Sequence, residues 1–408
     1  MSTIAVLDGV RAFACLCVIA YHINYLTLNS HIWTYHGVGP VLSGFALAGS
    51  YGVTLFFILS GFLLFMPYAK SLLFDLPWPA AKRYYLRRIF RILPGYYISL
   101  AILLLFLHPE YLHLDHWKQL LLFGTFFMDS AHSTYQAING PFWTLAVEWQ
   151  FYMLLPLLVL GMRWIVQRGS LHRRLITLSL SLCVLLIWGF VTRLWGNTWM
   201  AHPSQPMLLP AWLHHIALFF LYGQNGKYLE DFAIGMMICM LYILAQQQPA
   251  HVLSLTCKKY SRLIWIIGLG VLFFAAVWPF TSLIGPLRPY FGAHNWLSEL
   301  PYGMGFGVCV LALLFGPPDL KVVLEWRCVR WIGQLSYGMY IWHLPFILLF
   351  EALILPILQQ GRHFIIYIAY WLILLITLIP FCALFHNWIE QPWIKLGNAI
   401  ITDRIRVE

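Results

Sequence analysis

"YIAYWLILLITLIPFCALF", residues 367–385, runs for nineteen residues without a charge. An α-helix needs about 20 apolar residues to cross the hydrocarbon core of a bilayer. The run does not alternate polar with apolar positions, so it is not a barrel strand. "VTLFFILSGFLLFMPY" (53–68), "YISLAILLLFLH" (97–108) and "LITLSLSLCVLLIWGFV" (175–191) read the same way. The 408-residue chain is 61% hydrophobic and 10% charged, against about 25% charged in soluble domains. The fold class that follows is an all-α polytopic membrane protein.

The hydropathy pattern predicts ten spans, near 10–29, 50–68, 92–108, 141–162, 175–192, 228–246, 263–280, 299–316, 331–352 and 364–386. With the N-terminus inside, nineteen Lys and Arg fall in cytoplasmic segments and five in outer loops, with Arg11 at the base of span one. That asymmetry places both termini in the cytoplasm. The net charge of +10 is therefore a topology signal, and no nucleic-acid partner is expected. The expected location is the inner (plasma) membrane, multi-pass, with the lipid bilayer as the first partner. Residues 1–393 are expected to form one membrane domain and 394–408 a short cytoplasmic tail. No cleaved signal peptide, internal repeat or appended soluble domain is expected.

Six of the eight cysteines lie inside spans and none in an outer loop, so neither a disulfide framework nor a metal site is expected. "WKQLLLFGTFFMD" (117–129) is too short to span and reads as an interfacial or re-entrant helix. "RYYLRRIFRILP" (83–94) reads as an amphipathic helix on the inner membrane surface.

Within the spans, a few polar residues ask for a reason. Arg11 and His22 in "DGVRAFACLCVIAYH" (8–22) are eleven residues apart. On a helix they share a face, about 20° apart in direction and about 16 Å along the axis. Arg11 alone fits a snorkelling anchor, whereas an intramembrane histidine is costly and points to function. Glu148 in span four lies at the depth expected for His22, about 10 Å from the outer end. A carboxylate that supports an imidazole suits general-base or nucleophilic catalysis; a purely structural pair is the other reading. Arg88 and Arg91 share a helix face and suit phosphate recognition through the guanidinium fork, although they also serve topology. Tyr340 and His343 in span nine hint at a polar cavity. Glu390, at the inner end of span ten, fits a cap or salt bridge.

These residues sit in stretches that resemble the acyltransferase-3 family of integral membrane proteins, which includes bacterial O-antigen and other O-acetyltransferases. The stretches are "LDGVRAFACLCVIAYH", "LFFILSGFLL", "RRIFRILPGYY", "FWTLAVEWQFYMLLPLL", "LSYGMYIWHLP" and "IEQPW", in the family's order between residues 7 and 393. The family's arginine–ten–histidine motif falls on Arg11 and His22, its arginine-x-x-arginine motif on Arg88 and Arg91, and its span-four glutamate on Glu148. The resemblance implies transfer of an acyl group, by family default acetyl, from cytoplasmic acyl-CoA to a hydroxyl at the outer face. The acceptor would be a carbohydrate or another hydroxyl-bearing molecule. Acetyl-CoA enters as a substrate, and no resident cofactor or metal is implied. Arg11, Arg88 and Arg91 would hold the donor. His22 with Glu148 would act as base or nucleophile, and Tyr340 and His343 would line the acceptor side. A transporter or flippase for an amphiphilic or lipid-linked metabolite is the competing reading. The absence of inverted repeats speaks against it, and a sensor or scaffold explains neither His22 nor Glu148.

Overall fold

The computed structural model describes residues 4–29, 40–201, 210–280, 299–358 and 363–405. Among the described residues every regular element is helical. In chain order these are α1 (Ala5–Asn29), α2 (Pro40–Ala48), α3 (Gly52–Phe74), α4 (Ala81–Phe106), α5 (Trp117–Gly124), α6 (Phe142–Val166), α7 (Leu171–Ala201) and α8 (Ala211–Ala217). They continue with α9 (Leu229–Gln247), α10 (Val252–Lys259), α11 (Ser261–Val277), α12 (Glu299–Phe315), α13 (Val322–Glu325), α14 (Arg327–Leu353), α15 (Leu355–Leu358), α16 (His363–Phe385) and α17 (Gln391–Ile405). Helices prevail because a bilayer offers no water to the backbone, so each N–H and C=O must be satisfied within its own segment.

All ten expected spans fall on helices. Eight are long and apolar enough to cross a membrane, and α10 with α11 makes a ninth candidate bent by 66°. The tenth, α12, has 17 residues. Arg288, Arg362 and Arg406, counted in the charge argument, lie outside the described residues. The segment 117–129 forms only the short α5.

One expectation needs revision. The basic run 83–94 is not a separate surface helix: it forms the first turns of α4, which continues through Pro94 to Phe106. Proline lacks an N–H, but membrane helices tolerate it where neighbouring groups satisfy the freed carbonyl. The segment expected as a tail is helical to Ile405, and Trp393 just before it stacks on Phe90 of α4 at 6.2 Å.

The described chain divides into two compact units: Met1–Leu59 with Leu244–His386, and Ser60–Ile243 with Asn387–Glu408. In the first unit α1 and α14 run in the same direction. Their contacts climb together, from Asp8 against Gly333, through Cys15 Sγ on the Ser336 carbonyl at 3.7 Å, to His22 beside His343. A Cβ on Gly333 would lie 1.9 Å from the Asp8 carbonyl oxygen, so this approach requires glycine. By contrast α16 returns antiparallel to α14, with Trp342 on Phe381 and Phe385, and Phe350 on Tyr370. Helices α11 and α12 are also antiparallel: position 268 faces Cys309 and position 305 faces Leu272.

In the second unit, tyrosines fasten α4 near its start and past its midpoint. Tyr84 and Tyr85 donate to the carbonyls of Tyr152 and Met153 on α6, at 3.2 and 3.0 Å. Tyr96 and Tyr97 donate to the carbonyls of Phe123 and Gly124 at the end of α5, at 2.9 and 2.7 Å. Those are the carbonyls a helix terminus leaves unpaired. A buried ion pair joins Arg193 to Glu230 at 2.6 Å. Lys227, just ahead of α9, pairs with Asp129; burial pulls its ammonium down from the usual lysine range and Asp129 pulls it back.

Candidate functional site

In the first unit the site is built on the parallel pair of helices. His22 is partly buried on α1, and His343 is fully buried on α14. His343 Nε2 lies 3.2 Å from His22 Nδ1, with ring centroids 4.9 Å apart. Each ring also reaches its own helix one turn back. His22 Nδ1 lies 2.9 Å from the Val18 carbonyl, and His343 Nδ1 lies 3.1 Å from the Met339 carbonyl. Among the described residues His22 Nε2 has no protein hydrogen-bond partner. Tyr340 is buried beside this pair, 5.8 Å from the His343 ring and edge-on to Phe56.

Arg11 lies on α1 with His22, as the spacing required. Its guanidinium is 3.6 Å from Asp8, a carboxylate that also draws Arg330 to 3.8 Å. Asp8 was not singled out in the sequence, although the i, i+3 spacing to Arg11 is a readable signal.

In the second unit Glu148 is partly buried on α6. Its Oε1 accepts hydrogen bonds from Ser60 on α3 and from Tyr152 one turn along α6. Arg88 adds a cation near this cluster, its guanidinium carbon 5.9 Å from the Tyr152 ring centroid. Arg88 Nε is buried without a hydrogen-bond partner among the described residues. Arg91, one turn further along α4, is exposed. Glu390 is buried in a short π-helical stretch between α16 and α17. Sequence reasoning missed Ser60 and Tyr152; the i, i+4 spacing of Glu148 and Tyr152 was the available sign.

The first unit therefore offers an imidazole whose Nδ1 lies against the Val18 carbonyl and the His343 ring. The second unit offers a carboxylate held by two hydroxyls near Arg88. The model described as an acyltransferase domain matches residues 4–387. The chain belongs to that family.

Curated relatives of this chain carry names in keeping with that family. Peptidoglycan O-acetyltransferase OatA of Listeria monocytogenes is 25% identical over 84% of this chain and 49% of its own length. The putative peptidoglycan O-acetyltransferase YrhL of Bacillus subtilis is 26% identical over 98% of the chain and 56% of its own length. O-acetyltransferase OatA of Staphylococcus aureus is 24% identical over 96% of the chain and 57% of its own length. The chain thus spans about half the length of the curated relatives it matches. No solved structure matches it.

Proposed function

We propose that the protein is a membrane O-acyltransferase that moves an acetyl group from acetyl-CoA on the cytoplasmic side to a carbohydrate hydroxyl of the cell envelope at the outer face. The carrying observation is His22, an intramembrane imidazole whose Nδ1 is held by protein while Nε2 has no protein partner among the described residues. Membership of the acyltransferase family and the names of its relatives support the choice of chemistry and of a carbohydrate acceptor.

In this reading His22 takes the proton of the acceptor hydroxyl. The oxygen attacks the thioester carbonyl, a C–O bond forms, and the C–S bond breaks. The proton then passes from His22 to the departing thiolate, so the products are the ester and free CoA. Positioned proton transfer of this kind contributes about 10²–10⁴-fold. Arg88 and Arg91 supply the cationic surface for the donor's phosphates, since guanidinium forks bind phosphate oxygens bidentately. Arg11 serves the donor from α1, and Glu148, held by Ser60 and Tyr152, contributes its carboxylate to catalysis. Tyr340 contributes an aromatic wall on the acceptor side.

The purified protein in nanodiscs, given acetyl-CoA with and without peptidoglycan fragments, tests the proposal. Acceptor-dependent release of free CoA that His22→Ala abolishes is the expected result. Movement of an intact amphiphile across the membrane without CoA release would replace the enzyme by a transporter.

A further inference from the structure

With both rings neutral, the two histidines leave a proton-counting problem with one solution. A backbone carbonyl can only accept, so the Val18 oxygen requires a hydrogen on His22 Nδ1, and the Met339 oxygen requires one on His343 Nδ1. The 3.2 Å approach of His343 Nε2 to His22 Nδ1 then needs one donor and one acceptor. His22 Nδ1 already carries the hydrogen, so His343 Nε2 is the bare nitrogen. The His22 N–H is thus shared between two acceptors, the Val18 carbonyl and the His343 ring.

From this geometry we infer that His343 is a positioning residue that fixes His22 as the Nδ1–H tautomer and so makes Nε2 its basic atom. The inference rests on the reading of His22 as the general base and supplies what that reading lacks, namely which nitrogen takes the proton and why. Without a ring acceptor, the His22 tautomers and ring orientations are restrained only by the Val18 carbonyl on the same helix. With it, the imidazole is tied to a second helix, and that helix is held against α1 by the backbone contact of Asp8 with Gly333. When His22 gains the acceptor's proton at Nε2, its Nδ1–H keeps both acceptors, and the new imidazolium is stabilised without any rearrangement of the ring. The full burial of His343 fits this role. A histidine that never leaves its partner needs no route to solvent, whereas one lining an acceptor channel would.

Nitrogen-15 spectra of histidine-labelled protein in nanodiscs, with the His22 signals assigned by their loss in His22→Gln, provide the test. The wild-type protein is expected to show a protonated Nδ1 and a bare Nε2 on His22. His343→Leu should mix the two tautomers and lower kcat about 100-fold, the smaller end of what a positioned base contributes, with the acetyl-CoA KM unchanged. His343→Gln, whose terminal amide oxygen can stand where Nε2 stood, should retain kcat to within about tenfold and keep the wild-type tautomer. His343→Asn, whose shorter amide ends near the Nδ1 position, should behave as the leucine variant does. A His22 Nε2–H in the wild-type protein, equal behaviour of the Gln and Asn variants, or a folded His343→Leu protein with wild-type kcat would each overturn the inference. If the leucine variant does not fold, the wild-type spectrum and the Gln–Asn contrast decide. The spectra need no turnover, so failure of acyl transfer and failure of the positioning role are read separately.

Discussion

Glu148 and Tyr152 stand one turn apart on α6, and the tyrosine hydroxyl donates to the same carboxylate oxygen that receives Ser60. Hydrogen bonds to a charged group contribute about 1.5–3 kcal/mol each, so the two hydroxyls fix where this carboxylate points. Tyr152→Phe and Ser60→Ala should each lower turnover by roughly tenfold. In a Glu148→Gln background either change should add little, because the charge they orient is gone. Turnover measured across the wild type, the three single variants and the two double variants checks this, and fully multiplicative losses would assign the hydroxyls a separate task.

His22 and Glu148 were paired from their depths in the sequence, and the proposed chemistry uses them together. Groups acting as a unit lose activity non-additively. His22→Ala should abolish transfer, and adding Glu148→Gln should cost almost nothing further. If Glu148 only maintains structure, its replacement should instead reduce the amount of folded protein.

Arg88 and Arg91 are predicted to hold the donor. Lysine keeps their charge but loses the planar fork. The double Arg88→Lys, Arg91→Lys protein should insert normally and bind acetyl-CoA roughly tenfold more weakly, a loss of about 1.4 kcal/mol. Calorimetric titration of the purified double variant measures it; unchanged affinity would return both residues to setting orientation.

The backbone contact at Gly333 makes a stability prediction. A methyl group there collides with the Asp8 carbonyl, and overpacking of this kind costs about 1–3 kcal/mol. Gly333→Ala should lower the thermal midpoint in detergent and reduce transfer, because α1 and α14 carry the two histidines. Gly161 on α6 has open space where a Cβ would go, so Gly161→Ala should hold or raise the midpoint.

Orientation is checked at Cys328, which is exposed and lies in a segment expected to be cytoplasmic. A variant retaining only this cysteine should react with a membrane-impermeant maleimide in inside-out vesicles and not in right-side-out ones. The opposite result would reverse the topology, and the side assigned to the donor with it.

Much of this architecture was legible because bilayer crossing writes itself into continuous apolar length, as in 367–385. The helical placement of Arg11 with His22 followed from spacing alone, since both belong to one helix. What the sequence hid was contact between distant segments. His22 and His343 are 321 positions apart, and no local period announces such a pair. The same holds for Ser60 and Glu148, 88 positions apart.

The parallel course of α1 and α14 carries an arithmetic consequence for the whole chain. Two segments that cross in the same direction must have an odd number of crossings between them. Five long helices intervene, α3, α4, α6, α7 and α9, which already satisfies parity. The bent α10–α11 and the shorter α12 must therefore cross together or turn back together, as their antiparallel packing as a hairpin also requires. If all five intervening helices cross, the described helices traverse the membrane eight times or ten.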